Sequence, residues 1–347
     1  MKRNLLAFVL IMLTTLTFAQ PADTLRPCVA PDFLKPGDKI ALISPSSFIQ
    51  RRDVRRAADV LRGWGLEPVI GAAVGKKSGL DDAGTIQERL EDLRWALEDP
   101  DIKAILCNRG GYSTIQMVSR MDLGELSAHP KWLIGFSDIT TLHVMEISAG
   151  VMSIHGTMSR FLAESRGKDL SSTALRDLLF GKVPCYHLPA HPYNIPGKAT
   201  GTLVGGNLCT LYPLQGSIVD FTNREEGFIL FLEEVEERYH TLDRILNKLI
   251  LSGLMKNCKG VILGQFTDCT KDLDFESVEQ MYNPYFAEYG IPLVCGFPAG
   301  HVDLNLPLIE GAPVTIEVTP EGATVTFHIA GEQQDVVIEN EIAANEI

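Results

Sequence analysis

Between residues 39 and 154 the chain alternates short β-rich apolar runs with amphipathic stretches. Such alternation points to βαβ units around a mostly parallel sheet. KIALIS opens the series as a strand, residues 55–64 read as a helix closed by Gly65, and LEPVI is the next strand. Residues 87–97 form a second helix, with Leu90, Leu93 and Leu97 at helical spacing. Strand KAILC, a helix near 115–121, strand WLIGF, a helix over 139–148 and strand VMSIH complete the series.

The pattern breaks at VPCYHLPAHPYNIPGKATG, whose four prolines forbid regular helix. This segment predicts a linker at 183–200 between an N-terminal α/β domain at 37–182 and a second domain at 201–340. In the second domain TGTLVGG, FILFLEE and GVILGQF read as strands and 242–251 and 278–289 as helices. PVTIEV and ATVTF straddle Pro320-Glu321-Gly322 as a closing hairpin. The expected second domain therefore mixes parallel and antiparallel elements.

Ahead of both domains, Lys2 and Arg3 precede an apolar run, Leu5 to Leu13, and a threonine-rich stretch ending in Phe18-Ala19-Gln20. That is the pattern of a cleavable signal peptide at 1–19, followed by an N-terminal extension at 20–36. The run falls short of the ~20 residues a spanning helix needs, so export to the periplasm or beyond is expected, with no stable membrane insertion after cleavage. The formal charge of −13 falls by a further two, to −15, once Lys2 and Arg3 are gone. A field of that sign does not attract nucleic acid or anionic membrane. The seven cysteines are scattered without CxxC pairs, and several sit in apolar runs such as AILC107 and LVC295, as buried free thiols do.

Four segments carry residues suited to chemistry. In LIGFSDITTLH, Ser137 follows an apolar strand and precedes a helix, the setting of an elbow that presents an acyl-transfer nucleophile. The same residue could simply cap the helix, with Asp138 favouring its positive end. In NRGGYST, Gly110 and Gly111 stand at a strand's carboxyl end, where backbone amides can approach an oxyanion or a tight turn can form. Ser113 is a weaker rival nucleophile, lacking the elbow. Glu233 ends a very apolar strand, at the edge where ligands of open α/β sheets collect, while Glu234, Glu236 and Glu237 lead toward a helix start. His301 lies in the Gly/Pro-rich loop CGFPAGHVDLNLPLIEGA and gains meaning only by meeting Ser137 and Glu233. His143 and His155 are weaker candidates. HExxH, paired Cys/His clusters, EF-hand loops, GxGxxG and GxxxxGK[ST] are all missing from the sequence, so metal-dependent peptidase chemistry and nucleotide cofactors are not expected.

Taken in order, IALISPSS, QERLEDLRWALEDPDIKAILCNRGGYS, IGFSDITTLH, HGTM, TLVGGNL, LFLEEVEERYHTLDRIL and GHVDLNLPLIEGA resemble the serine peptidase family of LD-carboxypeptidases and microcin-immunity proteins. The likeness spans nearly all of residues 37–330. It implies a flavodoxin-like parallel-sheet N-terminal domain and a smaller mixed α/β C-terminal domain. It also implies a Ser-His-Glu triad of Ser137, His301 and Glu233 completed across their interface, and a homodimer. Two departures touch loop shape and substrate preference: Ser113 stands where the family often has glycine, and Glu234 where it often has aspartate.

The activity so implied is removal of D-alanine from the diaminopimelate or lysine of a murein tetrapeptide, without cofactor or metal. Amides of Asp138 and of Gly110 or Gly111 would hold the oxyanion, and Arg109, otherwise a structural ion pair, would receive the terminal carboxylate. An immunity-type amidase acting on peptide-nucleotide antibiotics and a non-catalytic periplasmic solute-binding protein are the competing readings.

Overall fold

The structure, a computed structural model, describes residues 28–223 and 226–339. The expected signal peptide lies outside the described residues. Among the described residues no helix is long and apolar enough to cross a membrane.

The front half is built on β1 (Lys39–Ile43), β2 (Glu67–Ile70), β3 (Ile102–Cys107), β4 (Trp132–Gly135) and β5 (Ser153–His155). They lie side by side as β2-β1-β3-β4-β5, all parallel, which is the flavodoxin-like order. Ile40, Leu42, Ile105, Leu106, Trp132 and Ile134 are fully buried, as strands covered on both faces require. The crossovers are α1 (Arg51–Gly63), α2 (Ile86–Glu98), α3 (Leu123–Ala128) and α4 (Thr140–Ala149). Helix α1 packs on α5 (Ser159–Ser165), while α2, α3 and α4 contact one another in turn, so both faces of the sheet are covered.

Capping decides where these helices begin. Thr85 and Glu88 make a reciprocal capping box ahead of α2. The helix expected near 115–121 is instead a short 3-10 turn, Thr114–Met117, followed by α3. Thr114 is held by Asp138, and Asp122 with Glu125 forms a second capping box that restarts the helix further on. Helix α1 starts four residues earlier than expected because its N-cap, Gln50, offers no side-chain cap to read.

The rear half continues through α6 (Leu170–Leu179), β6 (Lys182–Pro189), β7 (Gly197–Asn207), α7 (Leu208–Leu211), β8 (Phe228–Val235), α8 (Tyr239–Leu251), β9 (Cys258–Thr267) and α9 (Val278–Glu288). It closes with β10 (Leu293–Val294), β11 (Leu308–Glu310), β12 (Pro313–Thr319), β13 (Gly322–Phe327) and β14 (Glu332–Val337). Its sheet has eight strands in the order β10-β9-β8-β7-β12-β13-β6-β14. The β7 to β10 portion is parallel, and the expected hairpin of β12 and β13 is present.

The linker expected at 183–200 is not one. Its first part is β6, inside the second sheet between β13 and β14, and its last part opens β7. Pro184 lies beyond the register shared with β13 and faces only Gln334 of β14, and Pro189 is the strand's last residue.

The two halves also share a sheet. β11 leaves the rear half and pairs antiparallel with β5, with Ile309 opposite Ile154, to become the sixth strand of the front sheet. From β11 the buried Glu310 accepts a 3.0 Å bond from the Gly205 amide of β7. Burial pushes that carboxyl up to about 8.

Candidate active site

Ser137 opens the 3-10 turn Ser137–Ile139 that joins β4 to α4. Its φ is 65°, a left-handed conformation that costs a residue with a side chain about 1–3 kcal/mol. The surroundings enforce it. The Asp138 carboxylate accepts the Ser46 hydroxyl at 2.5 Å and the Thr114 amide at 3.0 Å, and the Thr114 hydroxyl donates to the Asp138 carbonyl at 2.6 Å. On the other side the Ile139 side chain fills the space a Cβ on Gly135 would need. The loops after β1, β3 and β4 are thereby tied together at the carboxyl edge of the parallel sheet, beside the β1/β3 switch point. Neither the 3-10 turn nor α4 takes a side-chain cap, so the Ser137 hydroxyl does not cap the helix.

That hydroxyl meets the rear half. Ser137 Oγ lies 3.0 Å from His301 Nε2, and His301 Nδ1 lies 2.8 Å from Glu233 Oε2. A carboxylate can only accept, so Nδ1 carries the proton and Nε2 is left to accept from the serine. Glu233 is fully buried near the end of β8, at a break in the ladder with β9 between Leu232 and Glu234. Such a bulge re-aims side chains. Glu234 turns elsewhere, accepting from Asn207 Nδ2 at 2.6 Å, the Cys209 amide at 2.7 Å and the Val235 amide at 2.9 Å. Gly300 allows the histidine loop to close on Glu233: its φ is 129°, and a Cβ there would stand 2.8 Å from Glu233 Oε2.

Burial acts to lower the His301 imidazole, but the Glu233 carboxylate, with Glu234 and Glu236 behind it, outweighs this and holds it above its ordinary value. The Phe136 ring meets the imidazole edge-on at 5.1 Å and closes one side of the site.

Gly110 and Gly111 face the elbow from the loop after β3. A Cβ on Gly110 would lie 2.9 Å from Ser137 Cβ and 3.4 Å from the Asp138 amide nitrogen. A Cβ on Gly111 would run into the Ser46 and Ser47 hydroxyls. Arg109 is in an ion pair, with Nη1 3.1 Å from Asp81 Oδ2 and 3.0 Å from the Phe48 carbonyl. Ser113 is buried and accepts from Arg89 Nη1 at 2.6 Å, away from any base. His143 is buried between Ser153 Oγ and the Gly135 carbonyl, and burial lowers it to about 4. His155 is buried between Phe136 and Phe231, and burial holds it neutral too.

The residues that sequence reasoning passed over are the braces: Ser46, Thr114, Arg89 and Asn207. Arg89 reaches from α2 to the Pro45 carbonyl, Ser113 Oγ and Gln116 Oε1, joining two of the loops that form the elbow's wall. Nothing local marks an arginine on an amphipathic helix as buried. For Ser46, only its bond to Asp138 gives it a task.

Comparison with known proteins agrees with this architecture. The LD-carboxypeptidase N-terminal domain family matches residues 40–156, and the LD-carboxypeptidase C-terminal domain family matches 200–316. The murein tetrapeptide carboxypeptidase of Pseudomonas aeruginosa is 33% identical over 291 residues, covering 80% of this chain and 93% of its own length. The crystal structure of muramoyltetrapeptide carboxypeptidase from Oxalobacter formigenes superposes with a TM-score of 0.74 at 24% identity, covering 84% of this chain and 99% of its own. The wild-type apo structure of the microcin C7 self-immunity protein MccF has a TM-score of 0.77 at 22% identity, covering 87% of this chain and 100% of its own. With both of its halves matched in order, the chain belongs to the LD-carboxypeptidase family of serine peptidases.

Proposed function

We propose that this protein hydrolyses the bond between the L-centre of a diamino acid, diaminopimelate or lysine, and a terminal D-alanine in murein tetrapeptides. The observation that carries the reading is the unbroken hydrogen-bonded path from Ser137 through His301 to Glu233, joining residues from both sheets. His301 Nε2 takes the hydroxyl proton as Ser137 Oγ attacks the diamino acid carbonyl. Glu233 stabilises the imidazolium that results. The tetrahedral oxyanion sits against the amides of Asp138 and of Gly110 or Gly111. A donor of that kind typically contributes ~2.7–4 kcal/mol. Collapse expels D-alanine, protonated by His301, and water then cleaves the acyl-serine with His301 again as base.

Arg109 supplies the terminal carboxylate's counter-charge through the guanidinium nitrogens that Asp81 leaves free. Export by residues 1–19 puts the activity in the periplasm, where murein peptides are, and the working unit is a homodimer. The test is D-alanine release from a defined tetrapeptide, followed by mass spectrometry for the wild type and Ser137→Ala. Release that persists undiminished in the variant overturns the assignment. A panel containing a peptide-nucleotide substrate separates an immunity-type amidase, and fluorophosphonate labelling of Ser137 separates a solute-binding protein.

A further inference from the structure

A second cluster of reactive side chains stands on the outer face of the rear sheet. Cys185 and His187 are two residues apart on β6, so both point to the same face, while Tyr186 and Leu188 between and beyond them point inward. The neighbouring edge strand β14 brings Asp335 directly beside Cys185 in register. His187 Nε2 lies 2.9 Å from Asp335 Oδ1 and 3.8 Å from Cys185 Sγ, and the three donor atoms all fall within 4.8 Å of one another. Behind the thiol, Thr326 Oγ1 on β13 is 3.3 Å from Cys185 Sγ and fixes its direction.

We infer that Cys185, His187 and Asp335 form a site for a zinc-class divalent ion, separate from the hydrolytic centre. An exposed His–Asp pair alone contributes ~0–1 kcal/mol and gives no reason for a thiol and an orienting hydroxyl to complete the group. One sulfur, one imidazole and one carboxylate suit zinc rather than calcium or magnesium, which favour oxygen. With Zn–S of ~2.3 Å and Zn–N or Zn–O of ~2.0 Å, tetrahedral geometry sets the S···N edge at about 3.5 Å and the N···O edge at about 3.3 Å. The observed 3.8 and 2.9 Å need shifts of only a few tenths of an ångström. With Cys185 and His187 half-buried and Asp335 exposed, the fourth position is open to water. On binding, the thiol proton passes to solvent as the Zn–S bond forms.

Glu233 on β8 is four strands from β6 in the sheet, on the order of 19 Å at ~4.8 Å per strand. The ion therefore does not reach the hydrolytic centre; it staples the last strand, β14, to β6. A Cys-x-His pair whose third ligand lies 148 residues away from the histidine leaves no contiguous motif in the sequence.

The test uses the full chain, reduced and stripped with chelator, titrated with Co²⁺ and then Zn²⁺. One equivalent of Co²⁺ is expected to bind with a thiolate-to-cobalt charge-transfer band that Zn²⁺ abolishes. Cys185→Ser should lose the band, and His187→Ala and Asp335→Asn should each weaken binding at least tenfold. Zn²⁺ should raise the Tm of the wild type but not of Cys185→Ser, with D-alanine release unchanged by the ion. Absence of the band, its survival in Cys185→Ser, or unaltered affinity in both His187→Ala and Asp335→Asn would overturn the inference.

Discussion

His301 Nε2 lies 3.0 Å from Ser137 Oγ although 164 residues separate the two in the chain. The contact exists because the elbow of the front sheet and the loop that follows β10 converge, and Glu233 on β8 fixes the imidazole from behind. Chemistry at this site is thus coupled to the packing of one half on the other.

The left-handed φ of Ser137 separates function from stability. Ser137→Ala and Ser137→Gly both remove the hydroxyl and its bond to His301, so both should be inactive. Only alanine retains the clash of a Cβ in that conformation. The glycine variant is therefore expected to be more stable than the alanine variant by about 1 kcal/mol in denaturant unfolding. Equal stabilities would show that the elbow is not strained.

Gly110 tests the wall opposite Ser137. Its φ lies outside the left-handed region, so alanine is acceptable to the backbone, but the new Cβ would stand 2.9 Å from Ser137 Cβ. Displacing the serine should cut kcat/KM by ~10²-fold while the Tm stays near that of the wild type. Full activity in Gly110→Ala would move the oxyanion position away from this loop.

The raised imidazole sets the acidic limb of the pH profile. His301 can accept a proton only when neutral, so kcat/KM should fall as the pH drops through a value above the ordinary 6.5. Burial alone would lower that value, and Glu233 opposes it. In Glu233→Gln the limb should move to lower pH, and kcat should fall by up to ~10⁴-fold because the amide no longer enforces the tautomer. A limb that stays in place would mean another group titrates there.

Glu310 gives a stability prediction of definite sign. Burial raises its carboxyl from 4.5 to about 8, so folding takes up a proton between those values. Its contribution is most favourable below pH 4.5 and declines as the pH rises toward 8. Glu310→Gln should therefore match the wild type near pH 4 and exceed it at pH 7 by about 3 kcal/mol, measured as ΔG of unfolding at the two pH values. A wild type more stable than the variant at pH 7 would mean the carboxylate is ionised and paired.

The five parallel strands of the front sheet are legible because each is a compact apolar run, and α2 because it carries a period and a capping box, whereas α3 begins at a capping box further on than the apolar spacing suggests. β6 is not legible, since prolines that would stop a helix are harmless at the positions they occupy in this strand. β11 is not legible because three residues carry no period of their own, and LIE becomes a strand only beside Ser153–His155, far away in sequence. Helix α5 is two turns long, too short to show a period, while α6 starts at an Asp169 cap. Ser137, Glu233 and His301 could be named from strand ends and a Gly/Pro loop, and the resemblance put them into one site. The conformation of Ser137 and the bracing by Asp138, Ser46 and Thr114 could not be named, because they arise from contacts among three loops.

The late strand donated to the early sheet also bears on synthesis. Before residues 308–310 are made, the edge Ser153–His155 of the five-stranded parallel sheet lacks the strand that covers it, with only Val29 bridging Val151 beside it. An unpaired rim of that kind recruits other chains. Residues 308–310 are what close that rim in the finished protein.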